Sequence, residues 1–210
     1  MSETATMADG QAGAIGPGRL VLVVGPSGAG KDTLLRLAQA ACADDRDIVF
    51  PRRIVTRESS ADEDNVALGP DEFRRACEHG DFAVHWDAHG HSYALPLDIN
   101  DDIRAGRTVV ANVSRTVISA LRQTYAGVVV VAITAPPDVL AARLAARARQ
   151  SDGNIAERLT RSVDDRSAQA DVTILNAGSA EYHARQLARV IRNEGRQDEP
   201  PRQGERNVGD

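Results

Sequence analysis

Apolar runs and helical repeats alternate along the chain between about residue 19 and residue 192. The runs Leu20-Val21-Leu22-Val23-Val24 and Val128 to Thr134 are almost wholly apolar, which is typical of central parallel strands covered on both faces. Further strands are predicted at 48–56, 82–86, 92–95, 108–113 and 172–175. Helices are predicted at 33–41, 71–79, 97–105, 115–123, 137–149, 154–167 and 180–192. This alternation predicts an α/β fold with a parallel sheet flanked by helices, in which ligands bind at the carboxyl ends of the strands.

The two ends of the chain are small and polar, so we expect residues 1–18 and residues 193–210 to be disordered. Residues 19–192 then form one domain, with room for a small insertion or a lid. The first segment lacks the basic start and apolar middle of a secretion signal, and no apolar stretch approaches membrane-spanning length. Cys42 and Cys77 show neither disulfide nor metal spacing, which favours a cytoplasmic location.

The net charge of the chain limits the kinds of molecule that it is expected to bind. With 25 basic and 30 acidic side chains, the net charge is −5. A protein that binds polyanions through its general charge would be basic, so we expect neither nucleic acid nor a membrane surface as a partner. The sequence leaves open whether the chain forms a homodimer.

The motif with the most specific chemistry follows the first apolar run directly. It reads Gly25-Pro26-Ser27-Gly28-Ala29-Gly30-Lys31-Asp32-Thr33, and Lys31 is the only lysine of the chain. In a phosphate-binding loop, backbone amides of a Gly-rich turn surround the phosphates and a slender ammonium reaches their oxygens. The helix that follows adds its N-terminal dipole to the anion site. We expect this loop to bind phosphates, which the family resemblance described below implies are those of ATP.

The residue after the lysine departs from the common pattern. A Ser or Thr usually stands there and gives its hydroxyl to Mg²⁺, whereas this chain has Asp32, with Thr33 one place later. A carboxylate is also a suitable hard-oxygen ligand for Mg²⁺. We therefore expect Mg²⁺ as a cofactor, with Asp32 or Thr33 as its ligand.

Arginines form the second group of candidate residues. Arg143 and Arg147 are spaced i, i+4 on one predicted helix, and Arg158 and Arg161 are spaced i, i+3 on the next. Two helices that present arginine to one side predict a lid, at about residues 143–161, that closes over phosphates and stabilises the transferring group. The alternative is a solvated helix face on which Glu157 pairs with Arg161.

Rare polar and aromatic residues crowd the segment His85-Trp86-Asp87-Ala88-His89-Gly90-His91-Ser92-Tyr93. Such crowding beside a glycine predicts a pocket wall that recognises a polar ligand. A zinc site at His85, His89 and His91 is the weaker alternative, because a helix would be needed to bring the first two together and the segment is typical of strands and a turn.

A further group lies at the carboxyl end of a predicted strand, in Ala111-Asn112-Val113-Ser114-Arg115. Many phosphate-loop enzymes hold Mg²⁺ with an acidic residue at this place, and Asn112 replaces it here. Ser114 and Arg115 offer a hydroxyl and a forked cation, which suit a sugar phosphate. For Ser114 alone, a helix N-cap is an equal alternative.

These motifs together resemble the guanylate kinase superfamily. The resemblance rests on the loop from Gly25 to Lys31 and, in the same order as in that superfamily, on Ala135-Pro136-Pro137, Arg143-Leu144, Arg147, Arg158-Leu159 and Asn176. The ribose 1,5-bisphosphate phosphokinase branch is the most similar, on the strength of Asp32, Thr56-Arg57, His85 to Gly90, Tyr93, Pro96 and Asn112 to Arg115. The chain differs from that branch at Val113, where glycine is usual, and at Arg147-Ala148-Arg149, where an Arg-Gly-Arg pattern is usual.

The resemblance implies a P-loop NTPase fold and ATP-dependent phosphorylation of ribose 1,5-bisphosphate to 5-phospho-α-D-ribose 1-diphosphate, a step of phosphonate breakdown. It implies an acceptor-binding region at about 52–96. The catalytic residues it implies are Lys31, Arg143, Arg147 and Arg158. The acceptor-binding residues it implies are Arg57, His85, His89, Tyr93, Asn112, Ser114 and Arg115. A nucleoside monophosphate kinase and a non-catalytic guanylate kinase-like binding module are the alternatives.

Overall fold

The computed structural model describes residues 13–57, 64–88, 90–148 and 170–194, without the side chains of residues 144 and 146–148. The strands are β1 (Arg19–Val24), β2 (Ile48–Val49), β3 (Arg53–Val55), β4 (Asn65–Ala67), β5 (Phe82–Ala88), β6 (His91–Pro96), β7 (Thr108–Asn112), β8 (Val128–Thr134) and β9 (Val172–Leu175). The helices are α1 (Lys31–Ala41), α2 (Pro70–His79), α3 (Ile99–Arg104), α4 (Ile118–Thr124), α5 (Pro137–Ala148) and α6 (Ala180–Ile191). A short 3₁₀ helix, Arg115–Val117, precedes α4.

The main sheet has five parallel strands in the order β2-β7-β1-β8-β9. The chain leaves β1 for the β2 edge and later crosses to β8 and β9 on the other side. The carboxyl ends of β1 and β7 therefore border the point where the winding direction reverses, which is where open α/β sheets bind their ligands. The predicted α/β fold with a parallel sheet flanked by helices is confirmed.

The core lies on both faces of β1, because its side chains alternate between two apolar clusters. Leu20, Leu22 and Val24 pack into one cluster with residues of α3 and α4, and Val21 and Val23 pack into the other with residues of α1 and α6. All five of these side chains are fully buried. Both faces need apolar residues, so the strand reads as an unbroken apolar run.

A second sheet lies in the region predicted to bind the acceptor. Its four strands are ordered β4-β3-β6-β5, and β5 and β6 form an antiparallel hairpin. The single strand predicted at 48–56 is wrong, because it is two strands that belong to different sheets: β2 joins the main sheet and β3 joins the second. Pro51 lies between them, and proline lacks the backbone N–H that a continuous strand would need.

The ordered part of the chain begins before residue 19. Ile15 forms a parallel bridge with Tyr125, and its backbone bonds to Thr124 and Ala126. The backbone N–H of Gly18 donates to the carbonyl of Ile103 at 2.8 Å. The expectation of disorder is therefore wrong for residues 13–18, where main-chain hydrogen bonds order a segment that lacks an apolar pattern. Residues 1–12, residues 195–210 and the helix predicted at 154–167 lie outside the described residues.

Candidate functional site

The Gly-rich loop joins β1 to α1 at the carboxyl edge of the main sheet. Gly25 has a φ of 143°, and a Cβ added to it would stand 2.0 Å from the carbonyl oxygen of Ile133 on β8. Gly30 has a φ of 88° and begins α1 as its N-cap, without a capping side chain. Only glycine meets both demands, because it combines a positive φ with the absence of a Cβ. The first-turn amides of α1 have no capping side chain and are donors suited to an anion.

The Lys31 ammonium lies over this loop. Its Nζ donates to the carbonyl oxygen of Gly25 at 2.7 Å and to that of Pro26 at 3.0 Å. These two hydrogen bonds hold the ammonium against the loop. Lys31 is the residue that the sequence indicated as the cation of the loop. A phosphate bound to the loop amides would meet the cation there without a large rearrangement of the lysine stem.

Arg143 and Asn176 hold the back of the loop. Arg143 donates through Nη1 to the carbonyls of Gly28 and Ala29 at 3.3 and 3.4 Å, and Asn176 donates through Nδ2 to that of Ala29 at 2.7 Å. Asn176 is only 3% exposed and follows β9 directly. Asn176, one of the residues that carry the resemblance, was not predicted as a site residue, although its place after an apolar strand was a usable signal. In this geometry Arg143 contacts the loop itself.

Asp32 and Asn112 are in direct contact, although 80 residues separate them. The Nδ2 of Asn112 donates to Oδ1 of Asp32 at 2.9 Å. The contact follows from the sheet, because Asn112 pairs with Val23 in the register of β7 and β1 and so ends its strand beside the loop. Asn112, predicted to bind the acceptor, thus contacts the predicted metal ligand. Thr33 is exposed.

One face of the second sheet carries two aromatic side chains that pack into the core cluster of the main sheet. Trp86 on β5 and Tyr93 on β6 are stacked with ring centroids 5.8 Å apart, and both belong to the core cluster that contains Val117 of the 3₁₀ helix. Arg53 on β3 lies over the Tyr93 ring, with its guanidinium carbon 5.7 Å from the centroid. We call the side of the second sheet that carries Trp86, Tyr93 and Arg53 its inner face. Arg53 was not predicted as a site residue, although it lies two positions before the buried Val55 on β3 and therefore shares its face.

The predicted acceptor residues do not all lie on this inner face. His85 neighbours Trp86 on β5, so its side chain is on the opposite face, where its ring contacts Phe73 of α2 at 6.4 Å between centroids. The structure therefore does not bring His85 together with Tyr93. His89, Arg158 and the side chain of Arg147 lie outside the described residues. Tyr93 is 9% exposed, so its ring is largely a wall of the core.

Ser114 and Arg115 follow β7 beside the loop. Ser114 is the N-cap of the 3₁₀ helix: its Oγ accepts from the backbone N–H of Thr116 at 3.4 Å and from the Thr116 hydroxyl at 2.9 Å. The N-cap expected as one alternative for Ser114 is therefore formed, and a part for its hydroxyl in acceptor binding stays a prediction. Arg115 is half-buried in the first position of that helix. The structure thus places a guanidinium near the carboxyl end of β7.

The described residues also bear on metal binding, on the two thiols and on membrane insertion. Among the described residues, which omit His89, no group of three His, Cys, Asp or Glu side chains is arranged to hold a metal ion. Both cysteines are free thiols, and burial raises the pKa of Cys42 and of Cys77, so neither is a ready nucleophile. Within the described part of the chain, no helix has both the length and the apolar character to cross a membrane.

Comparison with solved structures supports the fold. The structure resembles that of a guanylate kinase from Anaplasma phagocytophilum with a TM-score of 0.62, over 86% of this chain and 87% of that one. The sequence identity is 20%, so this likeness concerns the fold alone. The predicted P-loop NTPase fold of the guanylate kinase type is confirmed.

Comparison of sequences identifies the family. A scan against protein-family models gives no match. Among curated proteins, "Ribose 1,5-bisphosphate phosphokinase PhnN" of Bradyrhizobium diazoefficiens is 85% identical over 92% of this chain and 98% of its own length. Proteins of the same name from Rhodopseudomonas palustris and Methylobacterium radiotolerans are 64% and 52% identical, over 85% and 84% of this chain. They span 91% and 98% of their own lengths. The chain therefore belongs to the ribose 1,5-bisphosphate phosphokinase family and is an ATP-dependent phosphotransferase.

Proposed function

We propose that this enzyme transfers the terminal phosphoryl group of ATP to the 1-phosphate of ribose 1,5-bisphosphate, forming 5-phospho-α-D-ribose 1-diphosphate. An oxygen of the 1-phosphate attacks the γ-phosphorus, a new P–O–P bond forms, and the bond from the γ-phosphorus to the β,γ-bridging oxygen breaks, so that ADP leaves with the electron pair. The attacking oxygen is already anionic, so no strong general base is required. Catalysis is then mainly alignment and neutralisation of charge.

The observation that carries this proposal is the position of Lys31. Its ammonium lies 2.7 Å from a carbonyl oxygen of the Gly-rich loop, at the carboxyl edge of a parallel sheet and beside the uncapped first turn of α1. We assign Lys31 to the β- and γ-phosphate oxygens of ATP, where charge develops during transfer. The loop from Gly25 to Thr33 supplies its backbone amides to the same phosphates. Arg143, which contacts the loop carbonyls, holds the loop in shape for this task.

The residues beside the loop fit a magnesium ion. Asp32 contributes a half-buried carboxylate, the hard oxygen donor that Mg²⁺ prefers, and Asn112 hydrogen-bonds one of its two oxygens. We place the ion at Asp32 rather than at the exposed Thr33. When bound, Mg²⁺ neutralises phosphate charge and leaves the alignment of the two substrates to the protein.

We assign the acceptor to the inner face of the second sheet and to the loop after β7. Arg57, just beyond β3, and Arg115 offer forked cations for the phosphates of the acceptor. Tyr93 and Trp86 are buried in the core, and Tyr93 supports Arg53 on the inner face. Ser114 shapes the loop through its N-cap bonds. From the resemblance alone we add His89, Arg147 and Arg158, the last two as lid residues that close over the transferring group.

Arg53 is expected to contribute to acceptor binding. Its guanidinium lies over Tyr93 and its Nε donates to Asn65 Oδ1 at 3.4 Å, which pins the cation to the inner face. Arg53→Met should raise the KM for ribose 1,5-bisphosphate at least tenfold and leave the KM for ATP unchanged, because a charge-assisted hydrogen bond contributes about 1.5–3 kcal/mol. Steady-state kinetics with each substrate varied in turn measures this.

Arg52 provides a matched control for that variant. It is the preceding arginine, it pairs with Asp64 at 2.7 Å, its Nη2 donates to the backbone carbonyl of Asn65 at 3.1 Å, and its side chain is 57% exposed. Arg52→Met should leave both KM values within twofold of the wild type, since exposed ion pairs contribute little. Equal effects of the two substitutions on the acceptor KM would show that the inner face has no special part in acceptor binding.

Phosphorus NMR of the products tests the proposed reaction. The enzyme is mixed with ATP, Mg²⁺ and ribose 1,5-bisphosphate, and in a second sample with GMP in place of the sugar phosphate. We expect new diphosphate signals, with ADP, in the first sample only. Signals only with GMP would favour a nucleoside monophosphate kinase, which the guanylate kinase-like fold makes the natural second candidate. ATP turnover in neither sample would favour a non-catalytic binding module.

The cellular setting is also part of the proposal. We place the enzyme in the cytoplasm, in phosphonate catabolism, with soluble small molecules as its substrates. The two free thiols agree with a reducing compartment.

A further inference from the structure

The contact between Asp32 and Asn112 joins two positions that phosphate-loop enzymes use for the same metal ion. One is the residue after the loop lysine, which usually gives a hydroxyl, and the other is the end of the neighbouring strand, which usually gives a carboxylate. In this chain the first position holds the carboxylate of Asp32, and the second holds the neutral amide of Asn112. Each of the two positions therefore holds a different functional group from the usual one, but the pair still contains one carboxylate.

The hydrogen bond explains why the two changes belong together. Asn112 Nδ2 lies 2.9 Å from Asp32 Oδ1, and both side chains are half-buried. An aspartate in place of Asn112 would bring a second carboxylate within the same distance, where the two negative charges would repel each other and neither could donate a hydrogen bond. An amide instead donates to Oδ1, fixes the plane of the carboxylate and leaves the lone pairs of Oδ2 for a cation.

Building on the function proposed above, we propose that Asn112 is a positioning residue for the metal ligand Asp32. The amide of Asn112 orients the carboxylate of Asp32. The negative charge that binds the metal is therefore on α1, and β7 contributes a neutral amide. Asn112 therefore acts on the metal through Asp32 and does not bind the acceptor, which revises the role expected from the sequence.

Binding of Mn²⁺ to the complex of the full chain with ADP tests this inference without any acceptor. Electron paramagnetic resonance measures the free ion, and titration of ADP in the presence of EDTA measures nucleotide affinity without metal. Asn112→Leu removes the donated hydrogen bond at similar size. It should weaken Mn²⁺ binding to the ADP complex about tenfold, as loss of an outer-shell partner does, and leave ADP affinity in EDTA unchanged. Gln39→Leu, which replaces an exposed amide on the same helix as Asp32 but outside the phosphate loop, should leave both affinities unchanged.

The reciprocal exchange gives an independent result, even where Asn112→Leu fails to fold. Asp32→Ser removes the carboxylate and should weaken Mn²⁺ binding at least tenfold. Adding Asn112→Asp to it returns a carboxylate to the pair from the strand side, so the double variant should bind Mn²⁺ more tightly than Asp32→Ser alone. Equal or weaker binding by the double variant would overturn the inference. So would an Asn112→Leu variant that alters ADP affinity in EDTA and Mn²⁺ affinity in parallel, or alters neither.

These outcomes are separable from a failure of the proposed function. A wrong acceptor would leave the Mn²⁺ and ADP measurements untouched, because neither contains a sugar phosphate. Conversely, the expected diphosphate can form in the NMR experiment while substitution of Asn112 leaves the Mn²⁺ affinity unchanged. That result would support the proposed function and overturn only the role of Asn112.

Discussion

Replacing Lys31 with methionine is expected to lower kcat/KM by about a thousandfold or more, with little change in the melting temperature. Methionine keeps most of the length of the stem and loses the charge, so the variant removes the ammonium from the β- and γ-phosphate oxygens. Donors aimed at charge that develops in the transition state are each responsible for about a hundred- to a thousandfold in rate, and a cation in phosphoryl transfer for more. The measurement is steady-state kinetics with ATP and ribose 1,5-bisphosphate, beside thermal unfolding of both proteins.

Lys31→Arg is the informative companion, because it keeps the charge and changes the shape. The ammonium lies between the carbonyls of Gly25 and Pro26, at 2.7 and 3.0 Å, where a planar guanidinium would have to displace the loop. We expect this variant to lose at least a hundredfold in kcat/KM. Near-wild-type turnover of a correctly folded Lys31→Met protein would remove the basis for the phosphate-loop assignment, whereas full activity of Lys31→Arg alone would show that charge matters and shape does not.

The central sheet could be predicted from the sequence because its strands are buried on both faces. Such strands appear as unbroken apolar runs, and the structure places Val128–Thr134 and Val172–Leu175 at the predicted bounds. The second sheet was harder, since two of its strands, β3 and β4, have only three residues each. The predicted strand at 48–56 ran through Pro51 because apolar residues flank it on both sides, and the pattern alone did not show that the two halves join different sheets.

The part of the site that is formed by consecutive residues could be predicted from the sequence. The contacts that depend on how the strands pair in the sheet could not. The loop around Lys31 is contiguous, so its residues fixed its shape and chemistry together. The bond between Asp32 and Asn112 depends on β7 pairing beside β1, which places residue 112 level with Val23. In the same way, His85 and Trp86 are consecutive residues of β5 and therefore lie on opposite faces of the second sheet, Trp86 on the inner one. Because they are neighbours in the sequence, both were predicted to line the same pocket wall.

Replacing Gly30 with alanine is expected to lower kcat/KM by at least a hundredfold. With φ at 88°, an alanine would carry about 1–2 kcal/mol of backbone strain, and its Cβ would stand 2.4 Å from Nδ2 of Asn176. That amide is buried and donates to the carbonyl of Ala29 at 2.7 Å, so it has no room to swing away. The loop and α1 must shift together, and a displacement of about 1 Å in a positioning group costs about a hundredfold in rate. Kinetics with both substrates and thermal unfolding measure the two effects.

Gly106→Ala separates the cost of the backbone conformation from the cost of the contact. Gly106 has nearly the same φ, 85°, but an added Cβ would meet no atom within 4 Å. This control should therefore lose the same strain energy, a few degrees in melting temperature, and keep wild-type kcat/KM. Equal kinetic losses in the two variants would mean that general destabilisation explains both, and equal retention of activity would mean that the loop tolerates displacement. A large loss for Gly30→Ala alone would show that the phosphate loop, unlike the exposed turn after α3, does not tolerate a Cβ at this position, where the buried amide of Asn176 leaves no space for it.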